Sequence, residues 1–487
     1  MIFVAEITVC TDAAGTTATY YFSSGRGWST KATDTPANTF IEPRLIDAGS
    51  YRREMWSSDA LFGPVRSSFG NVRLANGDGG LDAWCGYAVD GRAIKVYMGS
   101  EEGLAYPSGY TLVYEARMLT ASFDVQGVDL VLRDRMVELE KPILQSTFAG
   151  TGGLDGPASM AKVPIPRAYG DCFLLPVVLV DSSKNIYLVA ENQTGSVGQG
   201  VYEAGIGMTL GANYADTTSL QSTAPAAGTA RWFVGGPTYV RFGTTPVGSI
   251  QVTGGSFKTS AGASGTVANL AAEAGISGAT GTLNDCEIYV DDPGTTYLEV
   301  MSREARTRPG WFGFDRTMSF VAEPITDPSG GSPVGTITHW DIESVRRQPP
   351  PGIEIPIWRV AMRGRQNYAT REGLAAGAAD PVRQEFYSAA TDSDATVKTK
   401  HPRAGELALD CGGYNSGGAA AYLDLHGIER DTLEVIAGLT TERVAYDLGD
   451  VVTFKHPRFG LSGGKKYLMT AVEVQCKAER IGWQLWG

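Results

Sequence analysis

Apolar and polar residues alternate strongly at both ends of the chain. In "YTLVYEARM" (110–118), Tyr110, Leu112, Tyr114, Ala116 and Met118 fall on one face and Thr111, Glu115 and Arg117 on the other. This is the pattern of an antiparallel strand with one buried face. "GRAIKVYMG" repeats it through Ile94, Val96 and Met98. In "SFDVQGVDLVLRD" the alternation of Phe123 and Val125 resumes one step out of phase at Val128, Leu130 and Leu132, which predicts a β-bulge at Gly127. At the far end, "YLMTAVEVQCKAERIGWQLWG" alternates through Leu468, Thr470, Val472, Val474 and Cys476, then Ile481, Trp483 and Leu485.

Between these ends the period is less regular. A Gly- and Pro-rich stretch over 143–170 leads into two strands, "LLPVVLVD" and "NIYLVA". From about 195 to 285 the residues are mainly Gly, Ala, Thr and Ser, which predicts small-residue β structure with long loops or a partly mobile insertion. Leu298, Met301 and Ala305 recur at helical spacing and predict a helix near 296–307, ending before Pro309. "PGWFGFDRTMSFVAEPI" reads as a β-hairpin, and "RRQPPPGIEIP" (346–356) as a break, because consecutive prolines exclude helix and central strand. Beyond it come the strand "IWRVAMRG", a helix near 418–436 (Ala421, Leu425, Ile428) and the closing strands. The expected fold is mainly β with a few helices, divided into 1–142, an inserted irregular region 143–345, and 346–487.

Length and composition fit several bodies rather than one core: 487 residues, 43% hydrophobic and 19% charged, with 61 Gly and 24 Pro supplying turns. A net charge of −12 argues against a protein whose main task is wrapping DNA, which needs a basic surface. The six cysteines (10, 85, 172, 286, 411, 476) form no CxxC pair, so neither a zinc site nor a disulfide framework is indicated. The longest apolar run, "CFLLPVVLV" (172–180), is too short to cross a bilayer, and no basic-then-apolar leader opens the chain. A protein not exported by a signal peptide is expected, and the sequon "NQT" (Asn192 to Thr194) then carries little meaning.

Each candidate for chemistry has a plainer structural reading. "FGLSGGKK" (459–466) places Gly before Lys, but Gly460 and Gly464 enclose three residues and Lys466 stands where a phosphate loop needs a hydroxyl, so a hairpin turn is expected. "LANGDGGLD" (74–82) clusters Asn76, Asp78 and Asp82 without the distal Glu of a calcium loop, and its Asn-Gly and Asp-Gly pairs are hairpin signals. The sharpest enzymatic alternative is Cys411 in "LDCGGY" with His456 as its base, as in cell-wall cysteine peptidases; a buried structural thiol is the competing reading. The four histidines (339, 401, 426, 456) show no metal-ligand spacing. Trp311, Phe312 and Phe314 either stack on sugar or seat the neighbouring helix. The loop "KHPRFGL" (455–461) is read as a stiff connector, with Pro457 fixing direction and Gly460 allowing a bend. No catalytic, cofactor or metal residue is nominated.

Taken in order, the motifs "FIEPRLIDAGSYRRE", "FGNVRLANGDGGLDAW…DGRAIKVYMG", "KVPIPRAYGDCFLLPVVLVDSSKNIYLV", "GWFGFDRTMSF", "PIWRVAMRGRQNYATREGLAA" and "YDLGDVVTFKHPRFGLSGGKKYLMTAV…WQLWG" resemble the baseplate or tail-tip hub proteins of long-tailed, siphovirus-like bacteriophages and of gene transfer agents. The match leaves about 195–285 poorly covered. The resemblance implies a non-enzymatic structural virion protein with two tail-tube-like β-barrel domains at its ends, packed side by side. It implies a homotrimer presenting six such domains to a sixfold tube. The implied partners are a distal tail protein or last tube ring above, a central fibre below, and the tape-measure protein and DNA in transit through the lumen. Assembly in the host cytoplasm and residence in the virion tail, with no membrane insertion of its own, follow from the same likeness. Receptor or glycan binding by 143–335 is the remaining alternative.

Overall fold

The computed structural model describes residues 1–56, 62–196, 198–262, 266–283, 287–350, 355–411, 413 and 417–487. Cys286, Gly412, Tyr414 and the third proline of the 346–356 break therefore lie outside the described residues. The chain is mainly β, as the alternation predicts, with its strands gathered into several sheets.

The N-terminal sheet has seven strands in the order Thr17–Ser23, Ile2–Cys10, Ala93–Gly99, Thr111–Phe123, Gly127–Arg133, Val72–Ala75 and Leu45–Asp47. Ile94, Val96, Met98, Tyr114, Ala116, Met118, Val128, Leu130 and Leu132 are buried on its core face, as the period-two pattern requires. The expected bulge at Gly127 is a turn instead. The Asp124 carboxylate accepts from the Gln126 and Gly127 backbone N–H groups at 2.7 and 2.8 Å and folds the chain back, so the phase break joins two strands rather than interrupting one. Glycine is required there because a Cβ would meet the Leu74 carbonyl at 2.6 Å. The register shift in this pair falls earlier, between Met118 and Thr120.

The middle region contains the helix Tyr297–Glu304, started by a capping box between Thr296 and Glu299. Met301 and Ala305 are fully buried against the core, with Leu298 packed at its edge. The hairpin Gly310–Phe314 with Phe320–Pro324 forms as expected, and its first strand also pairs in parallel with Gly63–Pro64. Trp311, Phe312 and Phe314 are buried, which settles them as core side chains. Within 195–285 the described residues form short strands and the helices Thr217–Ser222 and Val267–Glu273, with Val201, Trp232, Phe242, Val252 and Phe257 in a separate core.

The C-terminal sheet runs Gly335–Thr338, Val451–Lys455, Lys465–Gln475, Arg480–Trp486, Thr432–Gly438 and Ser344–Gln348. The strand Ser344–Gln348 ends immediately before Pro349. A smaller three-stranded sheet (Phe386–Ser393, Ile357–Gln366, Gly405–Asp410) carries the helix Gly418–His426 on one face. The helix expected near 418–436 thus stops ten residues early. After Gly427 the sequence "TLEVIAG" turns Leu433, Val435 and Ala437 inward at period two, and a central strand position in the sheet overrides the helical reading.

Candidate functional site

The feature that organises the molecule is the seam between its two ends. The strand Ser50–Glu54 leaves the N-terminal sheet and pairs antiparallel with Ala471–Gln475 of the C-terminal sheet, its other edge taking Arg66–Phe69. One contiguous apolar core runs across the seam, from Phe3 and Ile7 to Leu485 and Trp486. Tyr51 stacks on Tyr114 of the N-terminal sheet at 5.4 Å, and Trp56 meets Trp486 edge-on at 5.2 Å. At the surface, the N-terminal ammonium donates to Glu479 at 3.0 Å, and Arg52 bridges to Glu473 at 3.3 Å.

Inside the seam lies an ion pair. Because Tyr51 and Arg53 share a face of their strand, Arg53 points inward and is only 2% exposed. It donates to the Asp447 carboxylate and to the Phe314 carbonyl, the latter at 2.7 Å. Asp447 also accepts from the backbone N–H groups of Arg316 (3.2 Å) and Leu448 (2.7 Å). Burial pushes the Asp447 carboxyl up to about 7 and the Arg53 guanidinium down to about 9, with the nearby Asp315 carboxylate favouring the Arg53 charge and Arg316 opposing it. Three segments distant in sequence meet at this pair: a strand from the N-terminal part, the 310–324 hairpin and the "DLGD" turn. The hairpin is itself tied to the N-terminal sheet, where the Glu115 N–H donates to the Arg316 carbonyl at 3.0 Å and Arg135 to the Met318 carbonyl at 3.1 Å.

The structure separates Cys411 from His456. Cys411 is buried beside Val360, Met362, Ala419 and Tyr422, and its thiol donates to the Arg306 carbonyl at 3.3 Å. Burial pushes that thiol up to about 12, which keeps it protonated. His456 instead stacks between Phe454 and Phe459 in the C-terminal sheet and accepts from the Arg458 N–H through Nδ1 at 3.1 Å.

The other candidates are absorbed by structure. "FGLSGGKK" lies in the hairpin joining Val451–Lys455 to Lys465–Gln475, with Gly460 at a φ of 73°. Lys465 donates to Asp431 and the Gly487 carbonyl at 2.6 and 3.0 Å, and Lys466 to the Ser329 and Gly331 carbonyls at 3.1 and 2.8 Å. The Asp78 carboxylate takes both Nη groups of Arg44 at 2.7 and 2.8 Å, while Asn76 donates to Asp82 at 2.9 Å, so these oxygens serve the loop itself. Arg44 holds Asp78 well below the usual carboxylate range. Asn192 of the sequon is hydrogen-bonded to the Ala168 backbone and the Lys258 carbonyl. Among the histidines, His401 bonds Glu429 at 3.0 Å and His426 is buried. Among the described residues no three His, Cys, Asp or Glu side chains gather as a metal site, and no helix is long and apolar enough to cross a membrane.

Sequence reasoning missed Arg53 and Asp447. The available signal was an arginine two positions from an inward-facing tyrosine in a strand, which demands a buried acceptor.

No family model and no curated protein matches the chain. Among solved structures, the chain is similar to a tail protein from Neisseria meningitidis MC58 at 10% identity and a TM-score of 0.42, covering 100% of this chain and 96% of that one. It is similar to a 43 kDa tail protein of prophage MuSo2 from Shewanella oneidensis at 11% identity and a TM-score of 0.37, covering 99% and 95%. A chain of the virion of a native gene transfer agent particle aligns at 12% identity and a TM-score of 0.41, over 66% of this chain and 84% of that one.

Proposed function

We propose that the chain is a structural tail protein of a phage or gene-transfer-agent particle, and within it the hub of the tail tip or baseplate. The observation that carries this reading is the seam: the N-terminal part of the chain lends the strand Ser50–Glu54 to the C-terminal sheet, the two end modules share a core, and a buried Arg53–Asp447 contact lies between them. In a homotrimer, such a joined pair sets six modules around one axis, which adapts a sixfold tube or distal tail protein above to a threefold central fibre below. On this reading the region 143–345 is an insertion whose last strands join the C-terminal module, and the tape-measure protein and DNA pass through the central opening. A net charge of −12 suits a lumen along which DNA slides without adhering.

The peptidase alternative is disfavoured by the separation of a protonated, buried Cys411 from His456. Receptor or glycan recognition by 143–335 gains no support from Trp311, Phe312 and Phe314, which are buried.

The test is the mass and location of the assembly. Light scattering on the purified protein should give three times the 51.7 kDa chain mass, and antibody labelling should mark the tip of the tail. A monomer, or label on the capsid, would refute the proposal.

A further inference from the structure

The strands Gly335–Thr338 and Val451–Lys455 run parallel, so the loops that follow them leave the C-terminal sheet at the same end. There they build a row of rings. Trp340 lies against His339 at 4.3 Å, His339 meets His456 edge-on at 6.1 Å, and His456 stacks on Phe459 at 5.6 Å. Arg458 covers the Phe459 ring at 5.5 Å, and Lys455, one position before His456, is exposed with its side chain against Gly464. Trp340 is 85% exposed and Phe459 39%, in a chain that buries most of its large aromatic side chains. Among the described residues neither Lys455 nor Arg458 has a carboxylate partner, although the chain as a whole is acidic. An exposed aromatic row with uncompensated cations in the same loop has the composition of an interface anchor rather than of ordinary surface.

The same chain carries a complementary receptacle. A cleft of about 610 Å³ beside the helix Tyr297–Glu304 is lined by Tyr289, Val300, Tyr368, Asp291, Asp292 and Glu299. Asp292 and Glu299 accept from nearby backbone N–H groups, and among the described residues none of the three carboxylates is ion-paired. Arg303, also in the cleft, lies over the Tyr368 ring and donates to Gln366. We infer that the Trp340–Phe459 knuckle of one copy docks into the Asp291/Asp292/Glu299 cleft of a second copy. Such a head-to-tail contact joins unlike patches and forms a ring when its rotation closes. It supplies a copy-to-copy contact to the ring reading above and rests on that reading only for closure.

Sedimentation equilibrium of the full chain tests it with four variants: Trp340→Ala; Lys455→Glu with Arg458→Glu; Asp291→Lys with Asp292→Lys; and all four charge reversals together. Wild type should self-associate more weakly as salt rises. Loss of the aromatic anchor should weaken association at least about 30-fold. Each pair of reversals should weaken it alone, and the chain carrying both pairs should regain it. Wild-type association unchanged by every variant overturns the knuckle contact while leaving the ring intact. Association that depends on the knuckle but builds no threefold species supports the contact and overturns the ring. A wild type that stays monomeric overturns both.

Discussion

The buried pair Arg53–Asp447 predicts how strongly the two ends are coupled. Replacing Asp447 with Leu removes one acceptor of a guanidinium that is 2% exposed and leaves it the Phe314 carbonyl. It also frees the N–H groups of Arg316 and Leu448, which donate to that carboxylate. Breaking a buried pair from one side costs about 3–5 kcal/mol, because the surviving charge stays desolvated. Arg53→Met leaves Asp447 its two backbone donors and should fall near the lower end of that range. Replacing both, as Arg53→Met with Asp447→Leu, puts apolar atoms in place of both charges and should return to within about 1 kcal/mol of wild type. With singles of at least about 3 kcal/mol each and a double of about 1, the cycle predicts a coupling energy of about 5 kcal/mol. For a cooperative unit of 150–250 residues, each kcal/mol moves the melting temperature by roughly 2–4 °C. Calorimetry should show single variants melting about 10 °C lower and the double variant close to wild type. Single variants within about 2 °C of wild type, or a double variant as damaged as the sum of the singles, would refute the assignment of the seam to this pair.

Three further outcomes follow from the same structure. Burial, with the Arg430 charge nearby, lowers His426 from 6.5 to about 3, so between those values the unfolded chain binds a proton that the folded chain excludes. Its contribution is complete above about pH 6.5 and is lost as pH falls toward 3, by up to about 5 kcal/mol. His426→Phe should flatten the acid limb of a stability-versus-pH curve, and an unchanged limb would contradict this. The Cys411 thiol, pushed up to about 12, should resist maleimide in the native protein and react fully once unfolded; rapid native labelling, read by peptide mass, would revive a nucleophilic role. With the Asp78 oxygens held by Arg44, neither millimolar calcium nor EDTA should move the melting temperature, whereas a calcium-induced rise of several degrees would restore the cation-loop reading.

The strands at both ends were legible because a sheet with one buried face writes its period directly into the sequence, as in 110–118 and 480–486. The helix at Tyr297–Glu304 was legible for the analogous reason, and its capping box marks its start. The helix reading ran too far into "TLEVIAG", whose β-branched residues and period-two burial mark a strand that pairs on both sides with neighbouring strands. Local pattern failed at Gly127, where two strands joined by a tight turn imitate one bulged strand. The seam was illegible for a different reason. Arg53 and Asp447 are separated by 394 residues, and nothing periodic links an arginine in "SYRRE" to an aspartate in "DLGD". Likewise, "KHPRFGL" could be read as a stiff loop, but its rings gain their neighbours only when the sheet sets the 339–340 loop beside it.

The central claim is that end modules of one chain, joined across a seam, alternate with those of two other copies around a common axis. A cryo-EM reconstruction of the tail tip tests it most directly. The account predicts threefold symmetry with six β modules encircling a hole, N-terminal and C-terminal sheets in turn, and the Ser50–Glu54 strand bridging each pair. A map in which this chain occurs as a single copy, or in which its two ends lie in separate rings, would contradict it.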